Sequence, residues 1–261
     1  MTTITVHSFK AGTGKSLLSV VLAYEYSKAS EKVLLIDGDF NTPSLGSYYP
    51  HEAKIRSFTT FLEGKHNLKD CIADTGQDNL SMCYAPNPVI GGDLLDTDSR
   101  TQVRYLKRMQ EAISQAENDF GFDKIIIDSS SDVSYAAVNQ ISVSDRLLLV
   151  VRPVGYEVVD AYEKMSSVYR KIRDMDTNPN REDYHVWNQV PTNDNASFDA
   201  EISSFLERWN EKFKGIGISV GATIPYLYRI VSEMITNDSL NPAPLSDILR
   251  PHISELIKKL G

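Results

Sequence analysis

The segment Lys10-Ala11-Gly12-Thr13-Gly14-Lys15-Ser16 carries the most specific chemistry in the chain. Its small residues Ala11, Gly12 and Gly14 let backbone N–H groups turn toward one point and approach an anion closely. A helix opening near Gly14 adds unpaired N–H groups and the positive end of its dipole. A lysine and a hydroxyl at that corner suit a polyphosphate with a divalent cation. Lys15 is expected to reach the β- and γ-phosphates and Ser16 to ligate Mg2+. Thr13 and Leu17 belong to the same turn. Phe9 stands where such a loop usually begins with glycine.

Acids at strand ends supply the counterpart. Val33-Leu34-Leu35-Ile36-Asp37-Gly38-Asp39 is an apolar run closing on two carboxylates. Ligands of open parallel sheets bind beyond the carboxyl ends of strands. A buried acid there is unfavourable unless it meets a metal, a cation or hydrogen-bond donors. Lys124-Ile125-Ile126-Ile127-Asp128 has the same form, and Asp128 is expected to hold Mg2+, through a water.

These groups need a scaffold that brings strand ends together. Strand-like runs occur at 4–9, 32–37, 80–85, 124–128, 146–151, 184–190 and 218–224. Several are apolar throughout, which suits strands covered on both faces. Helical spacing fills 16–29, 101–118, 158–175, 199–213 and 245–260. The alternation predicts an α/β fold: a mainly parallel twisted sheet with helices on both faces, joined by right-handed crossovers. Residues 1–261 are read as one domain, with loops at the Pro- and Gly-marked stretches 86–92, 178–180 and 241–244. The stretch 41–79 is the least legible and is expected to hold short helices at the sheet edge.

Composition narrows the class. Apolar residues at 41% and charged ones at 24% exclude a disordered chain. With 35 acids against 27 bases, a surface that is wholly a nucleic-acid clamp is disfavoured. Two cysteines, Cys71 and Cys83, cannot supply a zinc or iron–sulfur ligand set. No apolar run approaches the length of a membrane span, and the start lacks a secretory leader, so a cytoplasmic protein is expected.

Phe9 to Ser16 resembles the deviant Walker A loop of the ParA/MinD family of P-loop ATPases, with Ala11 where the family has glycine. The resemblance implies that Lys10 is the signature lysine, which reaches the partner's nucleotide across an ATP-bound homodimer. It implies that Asp39 orients the attacking water and that Asp37 supports the metal shell. Phe122-Asp123 with Ile125-Ile126-Ile127-Asp128-Ser129 resembles the family's metal-binding strand, although Ser129-Ser130-Ser131-Asp132 replaces its proline- and glycine-bearing continuation. His185 to Val190 and Gly221 to Tyr226 resemble the segments flanking the adenine, with Asn188 and Pro225 as candidate contacts. No guanine-reading Asn-Lys-x-Asp motif is present, so ATP is preferred over GTP.

What the resemblance implies is a Mg-ATP-dependent dimerising switch that hydrolyses ATP slowly until a partner protein stimulates it, in chromosome or plasmid partitioning or in spatial positioning. Basic clusters at Arg104, Lys107 and Arg108, and at Lys164, Arg170, Lys171 and Arg173, are candidates for nonspecific DNA contact. An apolar stripe of Ile253, Leu256, Ile257 and Leu260 near the C-terminus is a weak candidate for a membrane surface, though such stripes more often pack on a sheet. The alternatives are an ATP-binding module that no longer hydrolyses and a tyrosine-kinase-like relative of the same fold, since 39–45 is somewhat like that group's second motif.

Overall fold

The isoleucines of Lys124–Ser129 show why this chain makes a two-sided sheet. Ile126 packs into one core, while Ile125 and Ile127 pack into another on the opposite face. A strand with consecutive apolar residues requires cover on both sides. The computed structural model provides it, and it describes residues 1–50, 55–86, 99–175, 181–192, 196–236 and 240–261.

In chain order the strands are β1 (Thr2–His7), β2 (Val33–Gly38), β3 (Ile72–Asp74), β4 (Leu80–Cys83), β5 (Lys124–Ser129), β6 (Arg146–Val151), β7 (Asp183–Val190) and β8 (Ile218–Pro225). They form one sheet in the order β3-β4-β2-β5-β1-β6-β7-β8. All neighbours are parallel except the short edge pair β3 and β4. The helices are α1 (Lys15–Lys28), α2 (Phe58–Leu62), α3 (Ser99–Asn118), α4 (Tyr135–Ser142), α5 (Gly155–Met175), α6 (Ala196–Gly215), α7 (Tyr228–Thr236) and α8 (Pro242–Leu260). α1 and α8 cover one face; α2 and α3 cover half of the other, and α5 and α6 the rest.

The register does the positioning. β1 lies between β5 and β6, with Val6 beside Asp128. β2 lies on the far side of β5, with Asp37 also beside Asp128. The carboxyl ends of β1, β2 and β5 therefore meet at one rim, from which α1 departs.

Several expectations change. Residues 41–79 hold helical turns at Leu45–Ser47, Phe58–Leu62 and Leu68–Cys71, as expected, but also the antiparallel strand β3. α4 and α7 were not marked by the periodicity. The loop expected at 241–244 is a helix start: Asn241 caps α8 by accepting from the Ala243 N–H at 2.9 Å, and Pro242 occupies the first turn. Of the other expected loops, 87–92 and 178–180 lie outside the described residues.

The apolar stripe near the C-terminus packs on the sheet. Ile253, Leu256 and Leu260 are buried against the sheet with α1, and Ile257 packs at their margin. Among the described residues no helix is long and apolar enough to cross a membrane. The basic clusters are partly consumed within the fold. Arg108 donates twice to the Phe61 carbonyl, at 3.1 and 3.0 Å, and pairs with Glu111, while Lys164 pairs with Asp160 at 2.8 Å. The side chains of Arg170, Lys171 and Arg173 lie outside the described residues.

Candidate functional site

The loop between β1 and α1 is built on two left-handed glycines. Gly12 has φ +76° and Gly14 φ +91°, a region that residues with a Cβ avoid. Ala11 is not among the positive-φ residues, so the glycine-to-alanine departure meets no backbone obstacle. Gly14 also has no room for a side chain: a Cβ there would lie 2.3 Å from Asn188 Nδ2. The Leu18 N–H closes the first turn of α1 on the Gly14 carbonyl at 3.0 Å.

Beneath the loop sits a buried charge cluster. Lys15 Nζ lies 2.9 Å from Asp128 Oδ1 and 3.9 Å from Asp39 Oδ2, and donates to Ser16 Oγ at 3.3 Å. Ser19 Oγ donates to the same Asp128 oxygen at 3.0 Å. Asp128 Oδ2 is buried and has no hydrogen-bond partner among the described residues. A buried carboxylate oxygen left without a donor is unfavourable, and an incoming cation would relieve it.

The two acids at the end of β2 divide their work. Asp37 accepts from the backbone N–H groups of Asp39 at 3.2 Å and Leu45 at 3.4 Å, so both oxygens hold the loop that follows. Burial, and then the negative charge of Asp128, push its carboxyl up to about 8. Asp37, expected in the metal shell, lies beside Asp128 in the sheet register and anchors the following loop through those two bonds. Asp39 accepts from Thr42 N–H at 2.9 Å, and burial raises its carboxyl above the ordinary range.

A pocket of about 240 Å3 lies over this cluster, lined by residues 11–17 with Asp39, Thr42, Tyr48 and Ser131. A second, mainly apolar pocket of about 360 Å3 shares Gly12, Gly14, Leu17 and Met234 with it. Asn188, Pro225, Tyr226 and Leu227 complete its wall. A cradle lined by the loop and its charged residues, opening into a mainly apolar slot, matches the two ends of a nucleotide. All expected loop residues from Ala11 to Leu17 line the first pocket, and Asn188 and Pro225 line the second.

Lys10 is placed differently. Its ammonium lies 3.5 Å from Asp160 on α5, and its side chain is 43% exposed. Within one subunit it does not line either pocket.

Four contributors escaped sequence reasoning. Gln189 donates to the Gly12 carbonyl at 2.9 Å, beside Asn188, which donates to the Thr13 carbonyl at 2.6 Å. His7 Nδ1 lies 2.7 Å from Ser129 Oγ at the ends of β1 and β5, and burial, followed by the Lys15 charge, depresses it to about 3. Gln140 donates to the Gly38 carbonyl at 2.9 Å. Tyr48 lines the phosphate-sized pocket from within the illegible stretch. A histidine ending a buried strand was the one visible signal among these. The serine-rich segment after β5 is internally tied: Asp132 Oδ1 accepts from Ser130 Oγ at 2.8 Å and Ser134 N–H at 2.9 Å. Ser131 Oγ lies 3.2 Å from Ser8 Oγ, which joins this segment to the phosphate loop.

A Mg2+ ion fits this donor set. Among the described residues no three His, Cys, Asp or Glu side chains cluster to hold a metal alone. One carboxylate, one hydroxyl and phosphate oxygens form the usual Mg2+ environment, and Asp128 with Ser16 would provide the protein's share.

Comparison with known proteins agrees with this geometry. Residues 1–182 match the family model described as an AAA domain. An uncharacterised ATP-binding protein of Methanocaldococcus jannaschii is 28% identical over 158 residues, 60% of this chain and 56% of that one. A tyrosine-protein kinase CpsD of Streptococcus pneumoniae is 36% identical over 89 residues, 33% of this chain and 39% of that one. The chain thus spans between 39% and 56% of the length of these curated relatives. In structure, an apo McdA of Cyanothece superposes with a TM-score of 0.78 at 15% identity over the whole of both chains. The septum site-determining protein MinD of Pyrococcus horikoshii, solved with Mg-ADP, gives 0.68 at 15% identity over 99% of this chain and 95% of that one. Those two likenesses concern the fold; the AAA-domain match and the deviant phosphate loop in its strand-to-helix setting carry the assignment. The chain belongs to this AAA-domain family, and within it to the ParA/MinD group of P-loop ATPases.

Proposed function

We propose that this protein is a Mg-ATP-dependent switch that dimerises on ATP and hydrolyses it to ADP and phosphate. The observation that carries the reading is the buried Lys15–Asp128 pair with its unsatisfied second oxygen, set under a cradle of loop N–H groups. Lys15 and the loop would hold the phosphates, while Ser16 and Asp128 would hold Mg2+, which supplies positive charge to the phosphoryl oxygens. Asp39, which lines the same pocket, would orient the attacking water.

Lys10, exposed and held loosely by a surface carboxylate, is available to a partner's nucleotide when two copies meet. A surface ion pair of that kind is weak and easily exchanged. The homodimer, the stimulating partner protein, cytoplasmic residence and the partitioning or positioning task belong to this proposal. DNA contact is its least supported part, because Arg108 and Lys164 are already engaged within the fold.

Phosphate release from Mg-ATP, measured with Lys15→Ala as control and with duplex DNA present or absent, tests the enzyme reading. Release that depends on Lys15 is expected. Lys15-independent background in every arm would leave an ATP-binding module without hydrolysis. The local similarity to a tyrosine-protein kinase favours one second reading. It requires phosphotyrosine to accumulate on the protein during incubation with Mg-ATP.

A further inference from the structure

Strand β7 ends irregularly where it meets the phosphate loop. Trp187 pairs with Thr223 and Val190 with Pro225, so β7 spends one more residue than β8 over the same stretch. Gln189 takes up the difference in the left-handed region, at φ +57°. It is one of three positive-φ residues other than glycine among the described residues, and the only glutamine. Residues with a long side chain are strained there and persist only where their surroundings hold them. Bulges of this kind re-aim side chains.

The consequence is visible in the hydrogen bonds. Consecutive residues of a regular strand point to opposite faces. Here Asn188 and Gln189 both donate amide hydrogens into the same loop, to the consecutive carbonyls of Thr13 and Gly12 at 2.6 and 2.9 Å. Each peptide unit is planar and trans, so holding a carbonyl toward β7 sends the N–H of the same unit the other way. The two units so held carry the N–H groups of Thr13 and Gly14. Both flank a left-handed glycine, and without an external hold such units rotate readily.

We infer that Gln189 is a positioning residue for the nucleotide site: its strained backbone exists so that its amide, with that of Asn188, can fix the orientation of the loop N–H groups that receive phosphate. The inference rests on the ATP-binding reading above. It also predicts that strain and function pull in opposite directions at this position. Glycine would accept φ +57° without strain and would remove the donor.

The test is Mg-ATP affinity and thermal midpoint for the full chain and for Gln189→Gly, Gln189→Met and Lys15→Ala. For Gln189→Gly the midpoint should stay or rise, while ATP binding weakens by about three- to tenfold, the span of one net hydrogen bond. Gln189→Met, which keeps length but lacks the donor, should weaken binding equally. If Gln189→Gly lowers midpoint and affinity together, Gln189→Met decides: weaker binding at an unchanged midpoint supports the inference. Both variants binding ATP within twofold of the unaltered protein would overturn it. Failure of the ATP-binding reading looks different, since the unaltered protein would then bind no better than Lys15→Ala.

Discussion

Three buried groups set how this protein responds to pH, and their signs oppose one another. His7 is held near 3 and His185 near 4, chiefly by burial, against an unfolded value of 6.5. Between those values and 6.5 the unfolded chain binds the extra protons, so stability is lost as pH falls through that window. Asp37 is pushed to about 8 from 3.8. There the folded state holds the proton, so stability is lost as pH rises toward 8. For these groups the optimum lies near pH 6.5. Urea midpoints from pH 4 to 9 should peak there, Asp37→Asn should flatten the alkaline limb, and His7→Leu the acid one. Much of the site was legible at this scale. Lys15, Ser16 and Asp128 are named by spacing because the phosphate loop and the acid-ended strand are local patterns. His7, Gln140 and Gln189 were not, because each acts through a bond to a residue more than a hundred positions away in the chain. Asp37 ends its strand as the spacing predicts, yet its engagement by two backbone N–H groups depends on a loop whose path the sequence does not disclose.

Among elements, α8 settles more than any other what the C-terminal region can do. Its apolar stripe closes the core over α1 and β8, and Gly221 on β8 marks how closely it fits, since a Cβ there would lie 2.8 Å from Leu256 Cδ1. Leu256→Ala is expected to lower unfolding free energy by about 2–5 kcal/mol, measured by urea titration. Flotation with anionic liposomes should leave the unaltered protein in the dense fraction. Co-flotation would mean that α8 detaches. The long strands and helices could be read because period and composition agree over many residues. β3 could not: three residues with one exposed end carry no period, and pairing to β4 alone makes them a strand. α4 begins after a serine-rich stretch that reads as loop, although Ser134 caps it by accepting from the Ala137 N–H at 3.2 Å. In α8, prolines taken for a loop were helix-starting residues, since the same residue type serves both ends of a connection.

For the whole molecule, ligand binding and folding are one equilibrium. Mg-ATP at a hundredfold its Kd should add about 2.7 kcal/mol to stability, a rise in midpoint of roughly 5 °C for a chain of this size. Calorimetry checks this, and Lys15→Ala should abolish the rise. Sedimentation with ATP and with ADP should then separate a dimer from a monomer, and Lys10→Ala should lose the dimer while keeping the thermal shift. The strand order that makes all this possible places β1 against β5, and 113 positions separate Lys15 from Asp128. A ribosome working at ~5–20 residues per second would need about 6–23 s to cross that interval. Throughout it, the emerging chain displays a lysine-bearing loop without Asp128, its nearer counter-charge, and without its neighbouring strand. The half-made protein therefore lacks the acid proposed to hold Mg2+, and any chaperone that meets it during synthesis meets an uncovered β1 edge.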